Sequence, residues 1–218
     1  MKKIIALILA LSCIFALASC EKEVEENNEK TDYTAEIAAV QSAIDASAPG
    51  IAEISVLHES DLGELNGKYD VVYNKDGSAT VTYMYQTFNE FDPKNPAEDI
   101  IETHTGVANV DMDGTVYDEQ GNSEAIEGVF FEIKLDASKL EDVTVVAGVL
   151  RAKIKAANTA AVLGTAVGHD VEIAVATGAN RVTSISIAYD TKDGHVKIST
   201  IYSYPIPEED VEEGTDSE

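Results

Sequence analysis

From Asp170 to Tyr204 the chain alternates between two kinds of side chain with almost no slip. One set is large and apolar: Val171, Ile173 and Val175, then Ile185, Ile187 and Tyr189, then Val196, Ile198 and Tyr202. The other set is small: Ala174 and Ala176, then Ser184, Ser186 and Ala188, then Ser199 and Ser203. A period of two is the signature of a strand with one covered face. Gly178-Ala179-Asn180 and the run Asp190 to Gly194 interrupt the alternation, and Pro205 and Pro207 end it. The sequence therefore predicts three consecutive strands, 170–177, 181–189 and 195–204, forming an antiparallel meander. Its apolar side needs a cover.

Thr34 to Ser47 supplies a candidate for that cover. Ile37, Val40 and Ile44 recur at helical spacing, Thr34 stands where an N-cap is expected, and Pro49-Gly50 stops the element. After Gly50 the period returns to two. Strands are expected at 51–58, 68–73, 80–88, 101–110 and 115–117, with Asn74-Lys75-Asp76-Gly77 and Asp111-Met112-Asp113-Gly114 as hairpin turns. Further strands are expected at 129–135 and 143–154, the latter with Gly148 at a bulge. Asn158 to Leu163 reads as one short helical turn capped by Asn158 and stopped by Gly164. The fold class is α+β: a curved, mainly antiparallel sheet, half-barrel-like, with one amphipathic N-terminal helix and a short helical turn packed on it.

At its N-terminus, Lys2 and Lys3 precede an apolar run from Ile4 to Leu17 that is short for a membrane span but suits a signal peptide. The run ends Leu17-Ala18-Ser19-Cys20, which resembles the lipobox of bacterial lipoproteins. That resemblance implies cleavage before Cys20 and a diacylglyceryl group on its sulfur, so that lipid anchors the protein in the bilayer. Two or more acyl chains make such an anchor durable where one does not. The implied location is extracytoplasmic: the outer face of the plasma membrane in a Gram-positive host, the periplasmic or outer-membrane side in a Gram-negative one. Removing residues 1–19 also removes Cys13 and leaves Cys20 as the sole thiol, so no disulfide is expected.

Without Lys2 and Lys3, 13 basic residues stand against 40 acidic ones, a net charge of −27. Nucleic acid is excluded as a partner, because its affinity rests on basic side chains that neutralise phosphates. Glu21 to Tyr33 and Glu208 to Glu218 concentrate acids and lack apolar content. The expected organisation is a signal peptide at 1–19, a lipidated acidic tether at 20–33, one α+β domain at 34–207 and an acidic disordered tail at 208–218.

The arrangement of helix, long hairpins, the NTAAVLG turn and the terminal meander DVEIAV, VTSISIAYD, HVKISTIYSY is similar to uncharacterised lipoproteins of clostridia-like bacteria. More remotely it resembles the lipoprotein carriers of the LolA and LppX type. Those folds imply a half-barrel whose concave side is plugged by helices, with space for an acyl chain. No functional residue is carried over from them.

The residues offer little catalytic chemistry. No Gly-x-Ser-x-Gly elbow occurs, and His58-Glu59 begins a zinc-peptidase pattern that Leu62 breaks. No catalytic residue and no cofactor is assigned. Asn109, Asp111 and Asp113, followed by Gly114, match the opening of a calcium loop, but Gln120 stands where a bidentate Glu is wanted. The same residues make an ordinary turn. Aromatic and large apolar side chains occur on both faces of the central strands. Tyr83, Tyr85 and, on the opposite face, Met84 are candidate ligand-lining residues together with Phe131. The functional expectation is a non-enzymatic binding module for a hydrophobic or amphipathic ligand. The alternative is a structural or protein-interaction module of the envelope, with another envelope protein as partner.

Overall fold

The structure is a computed structural model that describes residues 31–89 and 101–205. The signal peptide, Cys20, nearly all of the tether and the acidic tail lie outside the described residues. Tyr33 onward forms one compact unit. It contains three short helices among the described residues, α1 (Thr34–Asp45), α2 (Ser123–Glu127) and α3 (Thr159–Leu163). No helix among them is long and apolar enough to cross a membrane.

Ten strands form one curved, open, antiparallel sheet, and the fold class is α+β. The strands are β1 (Ile51–Ser60), β2 (Gly63–Tyr73), β3 (Ala79–Phe88), β4 (Ile101–Val110), β5 (Val116–Tyr117), β6 (Leu140–Val146), β7 (Val149–Ile154), β8 (Val171–Gly178), β9 (Arg181–Thr191) and β10 (Gly194–Ser203). Their spatial order is 5-4-3-2-1-10-9-8-7-6. The chain starts at the middle of the sheet, works out to one edge, crosses to the other edge, and returns to pair β10 with β1.

One face carries the apolar set throughout. Across the seam Ile54 is opposite Thr200 and Val56 opposite Ile198. Outward on one side Val71 meets Val81, which meets Ala108. On the other side Ile198 meets Ile187, Ile187 meets Ile173, and Ile173 meets Ala152. A β-bulge at Thr183 shifts the register of β9 and turns Val182 to this same face, where it is buried. Strict alternation would have placed Val182 outside.

The cover is assembled from four pieces. Helix α1 lies against β8 and β9 through Ile37, Val40 and Ala43. Its N-cap position is Tyr33, and no side chain caps it; Thr34 is the first helical residue. Helices α2 and α3 cover the two wings. After a turn at Gly128 and Val129, residues 130–136 run across the face between them as a strap with no ladder partner; Val129, Ile133 and Leu135 are buried. The expected strand at 129–135 is therefore a crossover. Its apolar residues satisfy the sheet's face, while its backbone bonds to helices: Glu132 and Lys134 donate to the carbonyls of Leu163 and Val162, at 3.2 and 2.8 Å.

The expected strand at 143–154 is also corrected. Ala147 and Gly148 both have positive φ, 50° and 78°, so the chain folds back in a two-residue turn and makes two strands, β6 and β7. Glu59 to Gly67, polar and glycine-rich, nonetheless continues the β1–β2 ladder to the Ser60–Gly63 pair. Gly63 to Asn66 pair with β1 alone, since the β3 ladder begins only at Gly67, and this hairpin pairing overrides the weak strand propensity.

Candidate functional site

Two buried clusters underlie the cover. One joins α1, α3 and β6–β9; the other joins α2, β1–β5 and β10. Phe131 and Tyr202 pack against both. Where the clusters meet, beneath the strap, the packing leaves a cavity of about 60 Å³. Val129, Phe130, Phe131 and Ile133 roof it; Ile54, Tyr73, Ile185, Ile187, Ile198, Thr200 and Tyr202 form its floor and walls. Three of the lining side chains bear hydroxyls and the others are Ile, Val and Phe, and polar and apolar surface share the lining about equally. Burial pushes the phenols of Tyr73 and Tyr202 above their ordinary range, so both are neutral donors at physiological pH.

The sequence-derived candidates divide. Phe131 lines the cavity. Tyr83 and Tyr85 stand on the covered face but further out, under α2. Tyr83 donates to Asp118 Oδ1 at 3.0 Å, Asn122 Nδ2 donates to Tyr83 Oη at 3.0 Å, and Tyr85 donates to Asn122 Oδ1 at 2.7 Å. His104 stacks on Tyr85 with ring centroids 4.7 Å apart, and its Nε2 lies 3.0 Å from Thr87 Oγ1. These tyrosines hold the α2 end of the crossover in place. Met84 lies on the opposite face of β3, half-buried and apart from the cavity. Tyr73, Thr200 and Tyr202 were not singled out by the sequence. Their signal was present, since all three fall on the apolar register, but nothing local marks which residues of that register will line the cavity.

Asn109, Asp111 and Asp113 sit at the β4–β5 hairpin. Asp113 accepts from the Thr115 amide at 2.9 Å, and the Gly114 amide donates to the Asp111 carbonyl at 3.0 Å. Hydrogen bonding with Asp111 holds Asp113 down at about 2, and the same contact raises Asp111. Asp111 Oδ1 is buried without a partner. Among the described residues no group of three or more His, Cys, Asp or Glu side chains is placed to hold a metal ion.

A larger concavity, about 840 Å³, opens at the rim between the tips of the β1–β2 and β9–β10 hairpins. Among the described residues it is an open notch edged by Glu59, Asp61, Asp190, Lys192 and Asp193, with His58, Leu62 and Phe88 also lining it.

The arrangement defines a class by its build: an open antiparallel sheet whose apolar face is closed by a strap and short helices rather than by a second sheet. No protein-family model matches the sequence. No curated protein matches it. Among solved structures the chain is similar to LprF from Mycobacterium bovis, with 13% identity, 78% of this chain and 93% of that chain covered, and a TM-score of 0.41. That likeness is too slight to carry a ligand or an activity across.

Proposed function

We propose that this protein is a lipid-anchored envelope protein whose domain binds an apolar or amphipathic ligand beneath its strap. The observation that carries the reading is the cover itself. A continuous apolar face is closed at its centre by extended chain with no ladder bonds, and a gap lined by Ile, Val and Phe side chains together with Tyr73, Thr200 and Tyr202 remains under it. Extended cover of this kind opens more readily than a packed helix, because few backbone bonds must break. The cavity of about 60 Å³ is well below the roughly 300 Å³ of ordinary ligand pockets. The bound state therefore requires Phe130 and Phe131 to swing aside.

The test is native mass spectrometry of protein expressed in bacteria, followed by titration of the delipidated protein with a fluorescent acyl probe. A co-purifying lipid and saturable one-to-one binding are expected. A ligand-free spectrum together with no probe binding would overturn the reading.

The anchor follows from the Leu17-Ala18-Ser19-Cys20 motif. Cys20→Ser is expected to move the protein from the membrane to the soluble fraction and to abolish its labelling by radioactive palmitate. Unchanged fractionation would sink the anchor and leave ligand binding untouched.

The small size of the cavity favours a second reading, an interaction module docked through the outer face. There Ala174, Ser186 and Ala188 form a low-relief surface on neighbouring strands. Crosslinking in intact membranes that captures one reproducible envelope partner would select this reading.

A further inference from the structure

The two edges of the sheet are built differently. At one, β6 breaks its register against β7 between Glu141 and Thr144, and Asp142 there has a φ of 49°. Glu141 and Asp142 also put two carboxylates on that edge, paired with Lys155 and Lys153. A bulge and a cluster of charge are ordinary defences of an edge strand against pairing with another chain. At the other edge β5 pairs only with Asn109 and Val110, so β4 is the outermost strand from Ile101 to Ala108. That stretch pairs with β3 without a register shift and contains no Pro, Lys or Arg.

The hairpin fixes which backbone groups of β4 face outward. The Asp111 amide donates to the Thr115 carbonyl at 3.1 Å, so the backbone of Asp111 faces β5. In an antiparallel ladder every second residue faces the same way, here Asn109, Val107, Thr105, Thr103 and Ile101. The Tyr73 amide, which turns to Gly50 on the β1 side, gives the same phase when counted across β2 and β3. Ile101, Thr103, Thr105 and Val107 therefore each point one N–H and one C=O away from the sheet. None of these groups has a backbone partner among the described residues. The four side chains share the outer face, where Thr103 and Thr105 are exposed and Val107 is 58% exposed.

We propose that this edge joins a second copy of the chain, β4 against β4, across a two-fold axis at His104. In that register Thr103 stands opposite Thr105 of the second copy, and Ile101 opposite Val107. Each outward donor then meets an outward acceptor, and none of the four residues is left over. On the outer face the register sets Thr against Thr and Ile against Val, both favourable cross-strand pairs. Tyr117, opposite Asn109 on β5 and 59% exposed, stands next along the same face, so Ile101 of the second copy fits between it and Val107. On the covered face Glu102 falls opposite Gly106, which keeps the two Glu102 carboxylates on opposite sides of the axis. Glu102 is the only carboxylate from Ile101 to Ala108, so a chain of net charge −25 meets its copy where its own repulsion is least. A single strand pair of this length falls below the roughly 1,200 Å² of standard interfaces, so the dimer is a reversible one. The proposal is independent of the cavity and of any ligand in it.

The experiment is sedimentation equilibrium of the full chain carrying Cys13→Ser and Cys20→Ser, from micromolar to near-millimolar concentration. The weight-average mass is expected to rise from 23.3 kDa towards that of a dimer. Thr105→Pro deletes an outward N–H that the β3 ladder does not use, a substitution edge strands tolerate. It is expected to weaken association about tenfold, since one hydrogen bond is lost on each side of the axis. Thr103→Lys combined with Thr105→Lys sets like charges opposite one another across the axis, and so does Thr103→Glu combined with Thr105→Glu. Each charged double variant alone is expected to be monomeric, and an equimolar mixture of the two to recover a heterodimer. All these side chains lie on the exposed outer face, so thermal midpoints should hold; should Thr105→Pro lower its own, the charged variants carry the test alone. A wild-type edge that stays monomeric at every concentration would overturn the proposal. So would a dimer that both charged variants retain, which would put the contact on another surface, or a mixture that forms no heterodimer.

Discussion

Gly106 stands opposite Tyr83 in the β3–β4 ladder, and a Cβ there would lie 2.6 Å from the ring's Cζ. The missing side chain is what lets the phenol lie across β4 and reach Asp118 and Asn122. Gly67, opposite Tyr85, plays a milder version of the role, its absent Cβ falling 3.1 Å from the ring of Tyr69. Gly106→Ala is therefore expected to destabilise the domain by about 1–3 kcal/mol, as overpacking does. Urea unfolding checks it, and a change near zero would mean the Tyr83 ring has somewhere else to go. Tyr69 carries a pH consequence. Burial raises its phenol to about 12 in the folded protein. The neutral form is thus favoured by folding, so this contribution is whole below pH ~10 and drains away as pH climbs through about 12. With Tyr69→Phe the fall in stability between those limits should become shallower. Urea midpoints measured at intervals across that window test it, and an unaltered slope would assign the alkaline transition to other tyrosines.

At the scale of elements the strap is the unusual part. Its backbone has no strand beside it, so its polar groups look elsewhere. The Leu135 amide donates to Gln41 Oε1 at 2.6 Å, and Gln41 Nε2 approaches the Ile133 carbonyl at 3.5 Å. A side-chain amide on α1 thus stands in for a neighbouring strand. Gln41→Leu leaves a part-buried amide unpaired, at a cost of about 1–3 kcal/mol. Hydrogen exchange should accelerate at residues 132–136 and stay slow in β8 and β9. Equal acceleration everywhere would show that strap and sheet open as one unit. This element also marks the limit of what the sequence discloses. The terminal meander and its covered face are legible because the period of two repeats over three strands with turn residues between them. The strap is not, because Val129, Ile133 and Leu135 present the same apolar residues to a sheet that a strand would present within one. Only the location of hydrogen-bond partners separates the cases, and Gln41 is 94 residues from Leu135. The Ala147-Gly148 turn was hidden for a related reason: alanine at positive φ carries no turn signal of its own. Phe131 is recognisable as a lining residue from its type, whereas Tyr73, Thr200 and Tyr202 gain their meaning only when strands from opposite ends of the chain meet.

That meeting, the β1–β10 seam, governs the molecule as a whole. Ile51 pairs with Ser203 and Glu59 with His195, so the first and last strands close the sheet at its centre. The covers are exchanged between the halves as well. Helix α1, from the start of the chain, lies on β8 and β9, and the strap that follows β5 bonds to α3. A cut at Ser138, in the exposed turn after the strap, separates β1–β5 with α1 and the strap from β6–β10 with α3. The second piece loses the cover over Ile173, Ile185 and Ile187; the first keeps its covers but exposes the β1 edge and the faces of α1 that had a sheet to rest on. Apolar burial at ~25 cal/mol per Å² is then too small in either piece to offset chain entropy. Each fragment alone is expected to show no cooperative thermal transition. An equimolar mixture should regain one through the seam, since ten ladder strands and both core clusters reform together. A sigmoidal melt from either fragment by itself would mean that the two wings are independent folding units and that the seam merely joins them. In that case the cavity, which draws its walls from both wings, would be a property of their docking and would vary with it.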